Sequence, residues 1–338
     1  MRPRNALSRF PMTLFRCAAL VMLSTSLAGC LVARVPLMIE AHQAEQRFPA
    51  KGEIDSAQPR TLISGGLQRR YWVQVPAAAR KPLPVVLVLH GGTETAEAVW
   101  GQTSLPTLGA RDGFIVAAPQ GVNKHWNDGR GSTLAGDAPS TADDVAFLRA
   151  VIADLVLRDG ADARSVFVIG ASNGGFMALH FACQAPDALR AGANVISTLP
   201  TAEARRCKPA PKPLPWMSMN GVRDPLVPFA GMAEGEERRG EPQPALLSAD
   251  ATFQFLAQRA GCTPEAQISR IGGSVEKRVR RCNGGATAEQ YVFSEAGHVW
   301  PGLPIKSPML SMYLGGANLD VDTGEAAWDF FRRTLAAR

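Results

Sequence analysis

Seven short runs in this chain read as strands, several of them apolar at nearly every position, and that feature limits most sharply the folds open to it. They are YWVQVP (71–76), PVVLVLH (84–90), FIVAAP (114–119), SVFVIG (165–170), GANVIS (192–197), LPWMSMNG (214–221) and QYVFSE (290–295). A strand with one wet face alternates polar and apolar residues. A strand apolar throughout must be covered on both faces, as in a parallel sheet between two helical layers. Amphipathic stretches lie between the runs. The spacing predicts a helix over 141–158, with a Thr141/Asp144 capping box, an apolar face of Val145, Leu148, Ile152 and Leu155, and a stop at Gly160. Further helices are predicted at about 248–260 and from an Asp322 cap with Glu325 to the C-terminus. Residues 231–245, rich in Gly, Glu, Arg and Pro, read as an exposed loop. Alternating β and α elements predict a doubly wound, mostly parallel α/β sheet in one domain over 61–338.

One of the apolar runs breaks abruptly. In SVFVIGASNGGFMALHF (165–181) a strand pattern meets a glycine-rich corner holding Ser172, then resumes as a helix. Strand, Gly-x-Ser-x-Gly, helix is the pattern of the nucleophile elbow of α/β-hydrolases, where Gly170 and Gly174 are needed because a Cβ would clash. With 32 glycines in the chain the bare pattern arises readily by chance, so its surroundings decide.

A serine hydroxyl attacks only if a base takes its proton, so the elbow requires a histidine downstream and an acid between. The histidines are His42, His90, His125, His180 and His298, and only His298 follows a late strand and precedes the last helix. His42 falls in an N-terminal tether, and His180 lies eight residues along the elbow helix, pointing away from Ser172. For the acid, MNGVRDPLVPF (219–229) places Asp224 just past a strand end between stiffening prolines. Its rival Asp250 sits at a helix start, where Asp ordinarily caps. The oxyanion of an acyl transfer needs two donors. The N–H of Asn173 supplies one, and the turn LVLHGGTET (87–95) offers Gly92 or Thr93 for the other. Trp126 and Trp300 are the aromatic candidates for a substrate pocket, while Asp128 and Arg130 read as structural loop groups. The constellation calls for no cofactor. Neither an HExxH motif nor a cysteine spacing suited to zinc is present, so no metal is expected.

The N-terminus reads as processing signal. Arg2, Arg4, Arg9 and Arg16 precede CAALVMLSTSLA (17–28), too short to span a bilayer and of signal h-region length. LAGC (27–30) resembles the bacterial lipoprotein box, so residues 1–29 are expected to be removed and Cys30 acylated, with 30–60 as a tether to the domain. The expected location is a bacterial cell envelope, with the membrane a partner through that lipid. The leader's four arginines, with no acid among them, account for four units of the net charge of +6, which leaves the rest of the chain close to neutral. The cluster KRVRR (277–281) then reads as a solvated strand face, and nucleic acid is excluded as a partner. Export also favours disulfides among Cys183, Cys207, Cys262 and Cys282. Four cysteines allow three pairings, of which the sequential one, 183–207 and 262–282, closes short loops.

LHGGTETA, APQGVNKHWNDGR, DDVAFL, VIGASNGGFMA, NGVRDPLVPF and GHVWPG, in this order over about residues 60–338, resemble the secreted poly(3-hydroxybutyrate) depolymerase and feruloyl esterase family. The resemblance implies an α/β-hydrolase fold, a Ser172–Asp224–His298 triad, an oxyanion donor on the HGG side, and hydroxyalkanoate or aromatic-acid esters as substrates. This chain departs from the family at Ala118, before Pro119, where relatives often carry a tyrosine, which bears on the pocket near Gln120. No separate polymer-binding module is visible, which points to soluble esters or oligomers over insoluble granules. Two other functions fit the same fold: a peptidase-like hydrolase, and a non-catalytic binding lipoprotein.

Overall fold

The computed structural model describes residues 48–77, 79–131, 140–238 and 241–336; the leader, Cys30 and His42 lie outside them. A ten-stranded sheet dominates them. Its strands are β1 (Gln58–Ser64), β2 (Leu67–Gln74), β3 (Leu83–Leu89), β4 (Ile115–Pro119), β5 (Ala161–Ala171), β6 (Ala191–Val195), β7 (Trp216–Gly221), β10 (Gln267–Ile271), β11 (Val275–Arg281) and β12 (Thr287–Phe293). They lie in the order β1-β2-β4-β3-β5-β6-β7-β12-β11-β10. The centre, from β4 to β12, is parallel. Each end adds two antiparallel strands.

Two helical layers cover the sheet, as the apolar runs require. The helices are α1 (Ala96–Trp100), α2 (Leu105–Asp112), α3 (Asp144–Asp159), α4 (Asn173–Gln184), α5 (Thr201–Arg206), α6 (Ala249–Arg259), α7 (Pro308–Leu314) and α8 (Thr323–Ala336). Val86 and Val88 of β3 face a core with Trp100, Leu108, Phe330 and Phe331 from α1, α2 and α8. Val85, Leu87 and Leu89, of opposite parity, face Phe147, Leu155, Met177, Phe181 and Leu256 from α3, α4 and α6. One strand thus feeds two cores, because successive side chains leave a sheet on opposite sides.

Several local expectations need correction. The α3 cap is Asp143, whose carboxylate accepts the Ala146 N–H at 2.9 Å, and not Thr141. Asp144 is drawn inward, where Arg69 and the Asn127 N–H hold it at 2.6 and 2.7 Å. Ser248 caps α6, and Asp250 pairs with Arg278 at 2.7 Å. The loop expected at 231–245 carries a short hairpin, β8 (Glu237–Arg238) with β9 (Glu241–Pro242). KRVRR lies on β11 as expected, but half-buried: Lys277 pairs with Glu289 at 2.9 Å, and Arg280 lies over Phe253. The described part of the expected tether is bound to the domain. Lys51 pairs with Asp322, the Gly52 N–H donates to Thr103 at 2.9 Å, and β1 opens the sheet from Gln58. The disulfides are Cys183–Cys207, joining the end of α4 to the end of α5, and Cys262–Cys282, joining the loop after α6 to the end of β11.

Candidate active site

The elbow forms where β5 ends at Ala171 and α4 begins at Asn173. Ser172, between them, has φ 51° and ψ −122°, a conformation a side-chain-bearing residue holds only when its surroundings force it. They do. A Cβ on Gly170 would lie 2.2 Å from the Gly174 carbonyl oxygen, and one on Gly174 2.3 Å from that of Leu89. Only glycine at both positions lets α4 start this close to β3 and β5.

Two loops from distant parts of the chain meet Ser172. His298 Nε2 lies 2.9 Å from Ser172 Oγ, and His298 Nδ1 lies 2.8 Å from Asp224 Oδ2. The other oxygen of Asp224 accepts the N–H groups of Leu226 and Val227, both at 2.8 Å, so the loop after β7 fixes the carboxylate. The His298 N–H donates to Leu314 at 2.6 Å, which hangs the histidine loop on the end of α7. His180, as expected, is elsewhere, 3.1 Å from Glu203.

On the oxyanion side the two alternatives separate. The Thr93 N–H donates to the Lys124 carbonyl at 2.9 Å, which removes Thr93 and leaves Gly92. A Cβ on Gly92 would lie 3.6 Å from Asn173 Cβ, so Gly92 and Asn173 are neighbours. Asn173 begins α4, where N–H groups have no acceptor within the helix. Its side chain is locked: Oδ1 accepts the Trp126 N–H at 2.8 Å, and Nδ2 donates to Asp128 at 2.6 Å. Asp128 is in turn paired with the buried Arg130 at 2.6 Å, the structural part expected of both.

His90, given no role by sequence reasoning, braces the same turn. Burial pushes its imidazolium down to about 4, opposed by the Gly91 carbonyl and reinforced by His125. The ring is therefore neutral. Nδ1 donates to the Gly91 carbonyl at 2.7 Å, and Nε2 accepts from the Gly121 N–H at 2.9 Å. Gln120, two residues past the family departure at Ala118, donates to the same Nε2 at 3.0 Å and accepts the Ala96 N–H. A histidine followed by two glycines at a strand end is the sequence signal that could have pointed to this brace.

These groups lie in a cavity of about 500 Å³. Gly92, Thr93, Ser172, Asn173, His298 and Trp300 line it, with an apolar wall that includes Ile196, Leu226, Leu303, Ile305 and Leu310. Trp126 is corrected: it is buried behind the site, its Nε1 donating to the His90 carbonyl at 2.9 Å, its ring 4.9 Å from the imidazole. Trp300 lines the cavity while packed into the core with Tyr291 and Phe293. His125 and the wall from Leu303 to Leu314 were missed, since only folding brings them to the serine. Among the described residues no cluster of metal-ligating side chains occurs.

The family model described as "Putative esterase" matches residues 64–218, from β1 to within β7, and so includes the HGG turn and the elbow. "Putative esterase NocK" of Nocardia uniformis subsp. tsuyamanensis is 29% identical over 86% of this chain and 87% of its own. "Feruloyl esterase B" of Piromyces equi is 27% identical over 64% of this chain, which spans only 40% of that longer protein. Among solved structures, acetyl xylan esterase from Aspergillus awamori superposes with a TM-score of 0.53, covering 81% of this chain and 99% of its own at 14% identity, a likeness of fold alone. With its parallel sheet and its elbow the chain has the α/β-hydrolase fold, and with its similarity to these esterases, feruloyl esterases among them, it is a carboxylic ester hydrolase.

Proposed function

We propose that the chain hydrolyses feruloyl-type or short hydroxyalkanoate esters through an acyl-enzyme on Ser172. One observation carries the reading: an unbroken hydrogen-bond path, Ser172 Oγ to His298 to Asp224, lining a mostly apolar cavity. As Ser172 Oγ attacks the ester carbonyl, its proton passes to His298 Nε2. Asp224 holds the proton on Nδ1, so Nε2 is the free base, and it stabilises the imidazolium that forms. The N–H groups of Asn173 and Gly92 receive the developing oxyanion, each worth roughly 3–4 kcal/mol in the transition state. Collapse breaks the ester C–O bond, and His298 returns its proton to the leaving alcohol. Water, activated by the same imidazole, then releases the acid and restores Ser172.

The wall of Ile196, Leu226, Leu303 and Ile305 suits an aromatic or short aliphatic acyl group. Each methylene there alters discrimination by about 1–3 kcal/mol, so chain-length preference is graded. The names of the relatives, feruloyl esterases among them, support the same substrate class. Acylated Cys30, in this reading, anchors the enzyme to a bacterial envelope membrane.

The test is labelling by a serine-directed fluorophosphonate, with hydrolysis of methyl ferulate, hydroxybutyrate oligomers and p-nitrophenyl esters measured in parallel. Label on Ser172 alone, with turnover of one of the first two substrates, is expected. Label on another serine, or hydrolysis confined to p-nitrophenyl acetate, refutes it.

A further inference from the structure

Helix α7 is out of keeping with the rest of the surface. Its sequence, PMLSMYL, has no charge and a single polar side chain, yet none of its seven residues is buried. Met309 and Met312 are 76% and 82% exposed, and Leu310 and Tyr313 about half. Single exposed apolar residues are ordinary on a soluble domain, whereas a contiguous patch marks a contact. Met309, Met312 and Tyr313 follow the i, i+3, i+4 spacing of one helix face. The patch runs into the site: Leu310, Tyr313 and Leu314 line the cavity, while Met309 and Met312 extend the apolar surface beyond its mouth.

The N-terminal chain joins the domain at residues next to ones that line this cavity. Gly52 is bonded to Thr103, next to the cavity-lining Gln102. Lys51 is paired with Asp322, which packs on Gly302, between the lining residues Trp300 and Leu303. Only 17 residues separate Cys30 from Phe48. A flexible chain of that length would span about 23 Å on average, less than half the roughly 50 Å width of a domain this size. A lipid at Cys30 therefore keeps the face carrying the mouth and α7 towards the bilayer.

We propose that the apolar face of α7 docks on the lipid bilayer, setting the mouth of the cavity at the membrane surface. Methionine, leucine and tyrosine on a short uncharged helix match a boundary layer that is apolar below and wet above, and such contact needs no defined partner groove. Esters with an apolar acyl group then reach Ser172 without leaving that layer. The orientation rests on acylation of Cys30; insertion of the patch does not.

The experiment places a nitroxide at Met312→Cys and, as reference, at the 84% exposed Leu157→Cys on α3, in the full mature chain. The chain is bound to vesicles of phosphatidylethanolamine and phosphatidylglycerol. Collision rates with oxygen, which concentrates in lipid, and with an aqueous nickel complex are compared. The oxygen-to-nickel ratio at Met312 is expected to exceed that at Leu157 about tenfold or more, and the gain to vanish when Met309→Ser is added. Equal ratios at the two sites overturn the proposal. Spin–spin broadening at Met312 with no gain in oxygen access also overturns it, assigning the face to a second copy of the chain. An intact mass without acyl groups removes only the anchor, and the label on added vesicles still reports whether α7 enters lipid.

Discussion

Ser172 owes its positive φ to the corner that Gly170 and Gly174 make possible, not to its hydroxyl, whose hydrogen bond is to His298. Ser172→Ala is expected to abolish ester turnover while leaving the melting temperature unchanged. Asp224→Asn removes the acceptor that sets the histidine tautomer, and about a 10⁴-fold loss in kcat is expected. Asp250→Asn, which weakens the half-buried contacts with Arg278 and Gln290, serves as the control; a crippling effect there would displace Asp224 from its proposed role. Trp300→Ala empties a core position and is expected to cost about 3–5 kcal/mol in urea unfolding, with a changed acyl preference from the lost cavity wall. His90 links the oxyanion turn to acid stability. It stays neutral in the native state down to about pH 4, whereas in the unfolded chain it takes up a proton near its ordinary 6.5. Between those values the unfolded state binds more protons, so stability is full above the window and falls by about 3 kcal/mol as the pH drops through it. Urea titrations from pH 7 to 4 are expected to show this slope, flattened in His90→Asn.

At the scale of elements, the long loops are what the disulfides restrain. Cys183–Cys207 closes 24 residues beside the elbow helix, and Cys262–Cys282 closes 20 ahead of the strand that leads to His298. Loop closure of this length reduces the entropy of the unfolded chain by about 3 kcal/mol for each bridge. Replacing Cys262 and Cys282 together by serine is expected to lower unfolding free energy by about that amount with kcat nearly unchanged, because their cluster with Phe253 and Ala257 lies apart from the cavity. Non-reducing peptide mapping checks the pairing itself. Helix α7 carries a different constraint: its last carbonyl holds the His298 backbone, so a change at α7 acts on the histidine loop as well as on the cavity wall.

For the whole molecule, the expectation at the N-terminus is a mature chain that begins at an acylated Cys30. Intact-mass measurement is expected to show diacylglycerol there, and Cys30→Ser to give an unprocessed form. Residues 51–60 remain with the domain whatever happens upstream. They bond to Thr103, Asp322 and Asp159, so truncation past Lys51 is expected to lower stability where truncation before Phe48 does not.

Much of the molecule was legible in the residue order because its signals are local. Apolar runs gave away β3 to β7 and β12, since a buried parallel strand has no wet face to encode. Ser172, Asp224 and His298 could be named because each follows a strand at the same end of the sheet, in an order the topology requires. The outer strands β1 and β10 could not be seen: both are largely exposed, and pairing with β2 and β11 is what makes them strands. Thr93 and Gly92 are indistinguishable as neighbours in sequence, and only the approach of Lys124 decides which N–H is spent. Trp126 and Trp300 each follow a loop histidine, yet one is buried behind His90 and the other lines the cavity. A backbone pattern can be read from spacing along the chain. Which side chain faces a cavity depends on atoms a hundred residues away, and only the folded packing brings those together.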